Sequence, residues 1–426
     1  MQIIRFPDPK DFDRLLARPV IDKVTLESDV RKILEAVKAE GDEAVRRFTL
    51  SLDKISSPVI QIGEEDFIRA EKNISEELKA SMKLAKDNVE KFHRTQRELP
   101  QEIEIQKGVT CWRKSIAIER VGLYIPGGSA PLFSTVLMLG VPAAIAGCKE
   151  IILCTPPSKD GLINPAILYA ARLVGIKKVF CIGGAQAIGA MAYGTKTVPR
   201  VYKIFGPGNQ YVTAAKKLVN ADGVSIDMPA GPSELAILAD RFCVPAFVAA
   251  DLLSQAEHGT DSQVILVSDE EEIISCVNSE LKSQLELLPR KDIAAKALQN
   301  SKVFLVGSME EGMNLINAYA PEHLILACKD SDKLAEKVVN AGSVFLGNYS
   351  CESAGDYASG TNHTLPTNGF ARAYSGVSLD SFLKKVTFQR LTEEGLMEIG
   401  KAIEIMAEAE GLQAHKNAVS IRLKKS

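Results

Sequence analysis

Four of the five histidines lie in short polar segments, each beside a second side chain that could share acid–base or metal chemistry. Imidazole titrates near neutral pH and is the commonest metal ligand in proteins. The four pairs are Gln255 with His258, Glu322 with His323, Asp356 with His363, and Glu410 with His415. Polar pairs in distant segments indicate a site that the fold assembles, so the sequence predicts a metal-assisted enzyme.

The Gln255 and His258 pair is expected on one face of a helix, because the two residues are three apart. Gly259 is a typical residue for ending such a helix. An amide oxygen and an imidazole nitrogen in the last turn could form half of a metal site. The alternative is a polar cap in which His258 interacts favourably with the helix dipole.

The Glu322 and His323 pair follows Pro321 and precedes an apolar run, which places it at the edge of a predicted sheet. Catalytic groups are common at sheet edges in open α/β folds, and a histidine beside a carboxylate suits general-base catalysis. The alternative is a surface acid next to a partly buried histidine at the start of a strand.

The remaining histidines carry weaker signals. Asp356 could be a metal ligand and His363 could contact a substrate, although an Asp turn explains Asp356 nearly as well. Glu410 and His415 lie five residues apart on a predicted fraying helix, and their spacing alone does not predict a site. For His93, which borders the apolar stripe of a predicted helix, a structural or surface role is expected.

Short apolar runs alternate with helical stretches from about residue 116, which predicts an α/β fold with parallel sheets. The predicted strands are Ile116–Ile125, Glu150–Cys154, Lys178–Ile182, Val201–Phe205, Glu234–Leu238, Gln263–Val267, Val303–Val306, His323–Ala327 and Ser343–Leu346. The predicted helices between them include Phe133–Ala146, Pro165–Val174, Ala187–Tyr193, Asn209–Val219 and Val244–His258.

The flanking segments are predicted to be helical, with one functional loop. Ser28 and Asp29 are expected to cap a helix that ends at Gly41, and a second helix is expected from Ser75 to about Glu98. The polar stretch from Gly347 to Ser375 is predicted to be a long loop, and the chain beyond Phe382 to be helical. The expected domains are a helical region 1–108, a first α/β unit 109–225, a second α/β unit 226–378 and a helical segment 379–426.

Glycine-containing turns separate strand from helix at three places, which are Pro126–Gly128, Gly183–Gln186 and Gly206–Asn209. Backbone N–H groups at such turns, together with the helix dipole, could bind a phosphate. None of the three matches the G-x-G-x-x-G pattern of dinucleotide-binding proteins. The three glycine-containing turns therefore have two possible explanations. They form a nucleotide-binding crevice, or they are ordinary turns that need glycine.

Composition narrows the class of protein further. A chain of 426 residues predicts two or three domains, and 46% apolar with 25% charged residues is typical of a soluble globular protein. A net charge of −3 gives no electrostatic case for nucleic acid or anionic membrane. No signal peptide and no apolar run of about 20 residues is visible, so cytoplasm is the expected location. The eight cysteines form no C-x-x-C pair, and reduced thiols are expected.

Eight longer segments resemble the histidinol dehydrogenase family. They are Tyr124–Thr135, Gly183–Gly194, Ile204–Asn209, Asp227–Glu234, Asp251–His258, Ala320–His323, Glu352–His363 and Ala414–Val419. The likeness runs from about residue 20 to the end of the chain. The resemblance implies two incomplete Rossmann-like units, similar to the aldehyde dehydrogenases, with helical segments at both ends.

The resemblance also implies an activity and its residues. L-histidinol would be oxidised through bound L-histidinaldehyde to L-histidine, the last steps of histidine biosynthesis, with one Zn²⁺ per subunit and reduction of two NAD. The matching positions imply zinc ligands at Gln255, His258, Asp356 and His415, an acid–base pair at Glu322 and His323, NAD contacts at Tyr124, Gln186 and Asn209, and substrate contacts at Ser233, His363 and Glu410. The zinc ligands and the acid–base pair would contact the substrate as well. In the homodimer that the family implies, Glu410 and His415 would complete the partner's site.

Two alternatives have different chemistry. In a cysteine mechanism, Cys148 or Cys154 would form a thiohemiacetal, but neither has a cationic partner in the sequence to lower its pKa. A non-catalytic sensor that binds zinc and nucleotide would bind NAD without producing NADH from histidinol.

Overall fold

The computed structural model describes residues 1–18, 23–54, 61–127, 131–158, 160–229 and 231–424. The chain divides into a larger unit, Met1–Thr95 with Ile118–Phe382, and a smaller unit, Gln96–Ala117 with Leu383–Ser426. Each unit is built on β-sheets of its own, and each is described by itself below.

Fourteen strands and seventeen α-helices lie in the described residues. The strands are β1 (Gln2–Arg5), β2 (Ile103–Gln106), β3 (Val109–Ala117), β4 (Arg120–Tyr124), β5 (Glu150–Thr155), β6 (Lys178–Cys181), β7 (Lys203–Phe205), β8 (Ser225–Ile226), β9 (Glu234–Ala239), β10 (Gln263–Ser268), β11 (Lys302–Leu305), β12 (His323–Ala327), β13 (Ser343–Leu346) and β14 (Leu383–Leu391). The helices are α1 (Phe12–Leu15), α2 (Lys23–Glu40), α3 (Asp42–Phe48), α4 (Glu64–Lys72), α5 (Glu76–Arg94), α6 (Phe133–Ala146), α7 (Pro165–Leu173), α8 (Gly184–Tyr193), α9 (Gln210–Ala221), α10 (Pro245–Ala256), α11 (Glu271–Leu285), α12 (Lys291–Gln299), α13 (Met309–Tyr319), α14 (Ser331–Ala335), α15 (Glu352–Tyr357), α16 (Glu393–Ala409) and α17 (Gln413–Leu423).

The first sheet of the larger unit has five parallel strands in the order β6-β5-β4-β7-β8. Side chains alternate between its two faces, so Leu153 of β5 packs in one core while Ile152 packs in the other. Helices α5, α6 and α7 cover the first face, and α2, α8 and α9 cover the second. Helices on both faces explain why these strands read as continuous apolar runs in the sequence.

The second sheet of the larger unit has six parallel strands in the order β1-β11-β10-β9-β12-β13. Helices α10, α11 and α12 pack on one face, and α13 packs on the other. Because the strands all run in one direction, Glu234 and His323, the first residues of β9 and β12, lie at the same amino-terminal edge. The parallel register places His323 opposite Leu235.

The smaller unit contains an antiparallel sheet in the order β14-β3-β2 and the helical hairpin of α16 and α17. Gly411 turns the chain between the two helices with a φ of 73°. At Gly400 a Cβ atom would lie 2.5 Å from Leu423, so glycine allows the helices to approach closely.

Parallel sheets with helices on both faces confirm the predicted α/β class, while several predicted elements were wrong in detail. The predicted strand Ile116–Ile125 is two strands, β3 and β4, in different sheets. Helix α2 begins at Lys23 rather than near Ser28. The predicted loop after Gly347 contains α15, and the segment beyond Phe382 begins with β14. Strand β1 was not predicted at all, because it completes a sheet whose other strands are about 300 residues away.

The predicted domain boundaries stay a prediction.

Among the described residues, no helix combines the length and the apolar character that crossing a membrane requires.

Candidate active site

The Glu322 and His323 side chains lie together at the amino-terminal edge of the six-stranded sheet. Pairing of β12 with β9 brings both residues beside Glu234. Glu322 Oε2 accepts a hydrogen bond from Glu234 N at 2.9 Å, and His323 Nδ1 lies 3.3 Å from Glu234 O. His323 Nδ1 and Glu322 Oε2 are 3.7 Å apart. The backbone of one residue therefore holds both members of the predicted acid–base pair.

Both side chains are buried, and their surroundings shift both pKa values. Burial raises the pKa of Glu322 to about 8, although the neighbouring His323 opposes the shift. Burial alone would lower the pKa of His323, but the carboxylates of Glu322, Glu352 and Asp356 raise it to about 10. With these pKa values both groups hold protons at neutral pH, so the pair can donate protons, and each group accepts one only after it has lost its own.

Asp356 lies among three histidines. Its Oδ1 atom is 3.6 Å from His323 Nε2 and 3.9 Å from His363 Nδ1, and its Oδ2 atom is 4.0 Å from His258 Nε2. Burial would raise the pKa of Asp356, but the close approach of His323 and the charges of the three imidazoles lower it. Three of the four histidine pairs identified in the sequence therefore meet around one carboxylate.

Helix α15 positions Asp356, and glycine allows the helix to sit where it does. A Cβ atom on Gly355 would lie 2.7 Å from the ring of Phe345 in β13. Because glycine lacks that atom, α15 packs directly on the sheet. Glu352 and Asp356 are four residues apart on this helix, so both side chains project on the same side.

His258, Glu352 and Asp356 could hold a metal ion. One ligand atom from each lies within 4.8 Å of the others. Two ligands of a tetrahedral zinc ion are about 3.4 Å apart, so small side-chain movements would bring these atoms to coordinating distance. Mixed nitrogen and oxygen donors suit zinc. The residues present therefore fit the metal that the resemblance implied.

The predicted helical pairing of Gln255 with His258 was wrong, although both residues lie at the site. Helix α10 ends at Ala256, and His258 follows in the next turn. Gln255 is buried against Glu352, whereas the His258 side chain is 42% exposed. The two residues therefore reach the site from a helix end and from the turn after it.

Glu352 was not predicted as a site residue, although it is as buried as any side chain of the site, with 1% exposure. Burial raises the pKa of Glu352 to about 8. Its spacing of four residues from Asp356 is a helical signal. That signal was overlooked because the segment was predicted to be a loop.

The substrate residues predicted in the larger unit lie around the same site. His363 Nδ1 is 2.9 Å from Asp356 O, and its Nε2 is 3.2 Å from Thr135 Oγ1 in α6. Ser233, directly before β9, lines a cavity of about 730 Å³ together with His258 and Asn209. The cavity is large enough for a small substrate and part of a cofactor.

The predicted NAD residues lie at the carboxyl-terminal edge of the five-stranded sheet. Tyr124 ends β4, and its hydroxyl accepts a hydrogen bond from Gly184 N at 3.1 Å. Asn209 caps α9 by accepting hydrogen bonds from Tyr211 N and Val212 N. Tyr124 and Gln186 do not line the 730 Å³ cavity, unlike Asn209.

The surroundings of Gln186 favour a polar ligand at the carboxyl-terminal edge of the five-stranded sheet. Its side chain is 1% exposed, and neither amide atom has a hydrogen-bond partner within the part of the chain that the structure describes. A buried amide without partners is costly, so a ligand that supplies them is the simplest explanation. The residues at this edge therefore fit a dinucleotide with a polar nicotinamide.

Glu410 and His415 belong to the smaller unit. Glu410 follows α16, and His415 lies exposed in the first turn of α17. The two residues therefore lie on either side of the turn at Gly411 between α16 and α17, whereas one fraying helix was predicted. Their roles in a partner's site stay a prediction.

Comparisons with known proteins give the same family over almost the whole chain. The family model described as histidinol dehydrogenase matches residues 16–423. The chain is 58% identical to histidinol dehydrogenase of Bacteroides thetaiotaomicron over 423 residues, which cover 99% of each chain. The chain belongs to the histidinol dehydrogenase family. A crystal structure of histidinol dehydrogenase from Elizabethkingia anophelis has a TM-score of 0.97 and 54% identity, and covers 99% of this chain and 98% of that chain.

Membership of the histidinol dehydrogenase family confirms the resemblance and the prediction of an oxidoreductase. A relative from Yersinia pestis is 50% identical over 96% of this chain and 92% of its own. The alternative of a non-catalytic sensor therefore loses its support.

The cysteine mechanism is disfavoured by burial. Cys154 is completely buried, which raises its pKa, and burial raises the pKa of Cys148 to about 12. A thiol must ionise to act as a nucleophile. We expect Cys148→Ser and Cys154→Ala to keep turnover within about threefold of the unmodified protein, whereas loss of a covalent nucleophile lowers kcat by orders of magnitude. Steady-state kcat of both variants checks this, and near-complete loss in either would restore the cysteine mechanism.

Arg18 anchors the residue that holds the acid–base pair. Its guanidinium donates to Glu234 Oε1 at 2.5 Å and Oε2 at 2.9 Å, and the Glu234 side chain is 3% exposed. We expect Arg18→Met to lower the free energy of unfolding by about 3 kcal/mol, because it leaves a buried carboxylate without its partner. Urea unfolding measures the change. Arg14→Met is the matched control: its exposed pair with Asp11 should contribute less than about 1 kcal/mol, and equal losses would contradict the prediction.

Proposed function

We propose that this protein oxidises L-histidinol through bound L-histidinaldehyde to L-histidine, with two NAD reduced and one zinc ion bound per site. The observation that carries the proposal is the position of Asp356. One of its oxygens faces His258, a predicted zinc ligand, and the other faces His323 of the acid–base pair. His258 and Asp356 would hold the metal ion, and the same Asp356 carboxylate lies beside His323, which would accept the proton.

The proposed zinc ligands are Gln255, His258, Asp356 and a partner subunit's copy of His415. Zinc would polarise the substrate and fix its amine and imidazole nitrogens, and NAD would accept a hydride in each of the two oxidations. Tyr124, Gln186 and Asn209 are the proposed NAD contacts. Ser233, His363 and Glu410 are the proposed substrate contacts, together with the zinc ligands and the acid–base pair.

His323 takes protons at Nε2 in this proposal. Its Nδ1 faces the Glu234 carbonyl, which can only accept a hydrogen bond, so Nδ1 keeps its hydrogen, and Nε2 is the nitrogen that accepts a proton when His323 is in its neutral form. His323 removes the alcohol proton in the first oxidation. It takes a proton again in the second, after water has added to the aldehyde.

Glu322 assists the addition of water. Its Oε2 atom is held by Glu234 N, so the carboxyl group has a fixed position beside His323. A carboxyl group with a pKa near 8 exchanges protons readily at neutral pH and can assist water as it attacks the aldehyde. The two residues thereby divide proton transfer between the two oxidations.

The stoichiometry of the reaction tests the proposal. Purified protein with L-histidinol and excess NAD should form two NADH for each L-histidine, measured by absorbance and by amino-acid analysis. L-Alaninol, an amino alcohol without the imidazole, is the control and should react far more slowly. One NADH per histidinol with release of the aldehyde, or no NADH at all, would contradict the proposed function.

A further inference from the structure

Glu352 lies close enough to His258 and Asp356 to hold a metal ion with them, but it is not among the proposed zinc ligands and has no step in the proposed mechanism. The carboxylate is buried where α15 packs against α10, and Ser254 Oγ lies 3.3 Å from Glu352 Oε2. On its other side, Glu352 Oε1 lies 3.9 Å from His323 Nδ1. A buried carboxylate between a proposed metal ligand and a proposed base requires an explanation.

The contact with Gln255 provides that explanation. When the Gln255 amide is turned so that its hydrogen bonds are satisfied, its nitrogen donates to Glu352 Oε2 at 3.2 Å and also contacts Oε1, and its oxygen shares the Glu234 N–H with Glu322, accepting at 2.8 Å. In its ionised form Glu352 only accepts hydrogen bonds, so that form selects the orientation in which the amide nitrogen faces it. In the opposite orientation, the amide oxygen would face the carboxylate and the nitrogen would face another N–H donor.

We propose that Glu352 is a positioning residue, which fixes the amide orientation of Gln255 so that its oxygen, rather than its nitrogen, is available to the metal. The lone pair of an amide NH2 group is delocalised into the carbonyl and is not available to a metal ion, so the wrong orientation removes a ligand. Partners of this kind, which hydrogen-bond the ligands and orient them, tune metal affinity in many sites. The inference rests on the proposed function, because it takes Gln255 as a metal ligand.

Zinc affinity in a double-mutant cycle tests the inference. Competition with a chromophoric chelator gives the zinc dissociation constant of the full-length protein, of Gln255→Ala, of Glu352→Ala and of the double variant. We expect Glu352→Ala to weaken zinc binding by about 10- to 100-fold in the unmodified background. In the Gln255→Ala background, the same change should alter zinc affinity by no more than about twofold, because the residue through which Glu352 acts is gone.

Two further variants separate positioning from charge and from packing. Glu352→Gln keeps the shape and one acceptor oxygen, so its loss of zinc affinity should be smaller than that of Glu352→Ala. Glu257→Gln removes a negative charge near His258 and leaves the backbone hydrogen bond from Glu257 N to Gln255 O in place, so it should leave zinc affinity within about twofold. Melting temperatures of the metal-free variants show whether each has folded, and Glu352→Gln carries the test if Glu352→Ala has not.

Each outcome has a distinct meaning. An equal loss of zinc affinity on Glu352→Ala in both backgrounds would make Glu352 a direct ligand or a packing residue, and would overturn the inference. No loss in the unmodified background would overturn it as well. If Gln255→Ala itself leaves zinc affinity unchanged, the proposed ligand set fails, and this result is distinguishable because it does not involve Glu352.

Discussion

Glu322→Gln is expected to slow the oxidation of histidinaldehyde by about 100-fold or more, and to slow the oxidation of histidinol by less than about tenfold. Glutamine keeps an oxygen that can accept the hydrogen bond from Glu234 N, so the geometry of the pair is retained. What it loses is the ability to take a proton from water. Because only the second oxidation needs water, the loss should fall on that step.

Two assays measure the steps separately. NADH formation from added histidinaldehyde reports the second oxidation, and single-turnover NADH formation from histidinol reports the first. Glu257→Gln removes an acid at the edge of the site and should leave both rates unchanged. Equal losses in both assays for Glu322→Gln would contradict the division of proton transfer between Glu322 and His323.

His415→Ala is expected to weaken zinc binding by more than about 100-fold, because it removes a proposed ligand rather than a residue that orients one. Metal content after dialysis and chelator competition measure the effect. Asn417→Ala, an exposed position of the same helix, is the matched control and should bind zinc normally. Unchanged zinc affinity in His415→Ala would reject its assignment as a ligand.

Mixed dimers test whether His415 acts in a partner's site. Co-expression of His415→Ala with His258→Asn gives heterodimers in which one site would receive both intact residues if the C-terminal segment acts in trans. About one quarter of normal activity should then return, because half of the dimers carry one complete site of two. If mixing restores no activity while heterodimers form, the residue does not act in trans.

The boundaries of helices and strands were predicted correctly where the local pattern of apolar residues determines the structure. Helix α6 and strand β12 have the predicted boundaries, because apolar runs bounded by turns mark elements buried between layers. Helix α15 was missed, because its six residues are polar and glycine-containing, and its stability comes from packing on Phe345. Strand β14 was missed because its partner β3 lies about 270 residues earlier in the chain.

The candidate site could also be predicted only in part, because several of its contacts depend on distant parts of the chain. The spacing of Glu322 and His323 indicated acid–base chemistry, but it could not show that Glu234 holds both, since that contact depends on strand pairing across 88 residues. Glu352 was missed for the same reason, because its partner Gln255 lies on a distant helix. Resemblance to a family supplied roles for His415 and Glu410 that neither spacing nor composition could indicate.

The central claim is that one buried site combines metal donors with the Glu322 and His323 pair. Steady-state NADH formation from L-histidinol, before and after complete removal of zinc, tests it most directly. The account predicts that activity disappears in protein shown by elemental analysis to be metal-free, and returns in proportion to added zinc. Full activity in metal-free protein would contradict it.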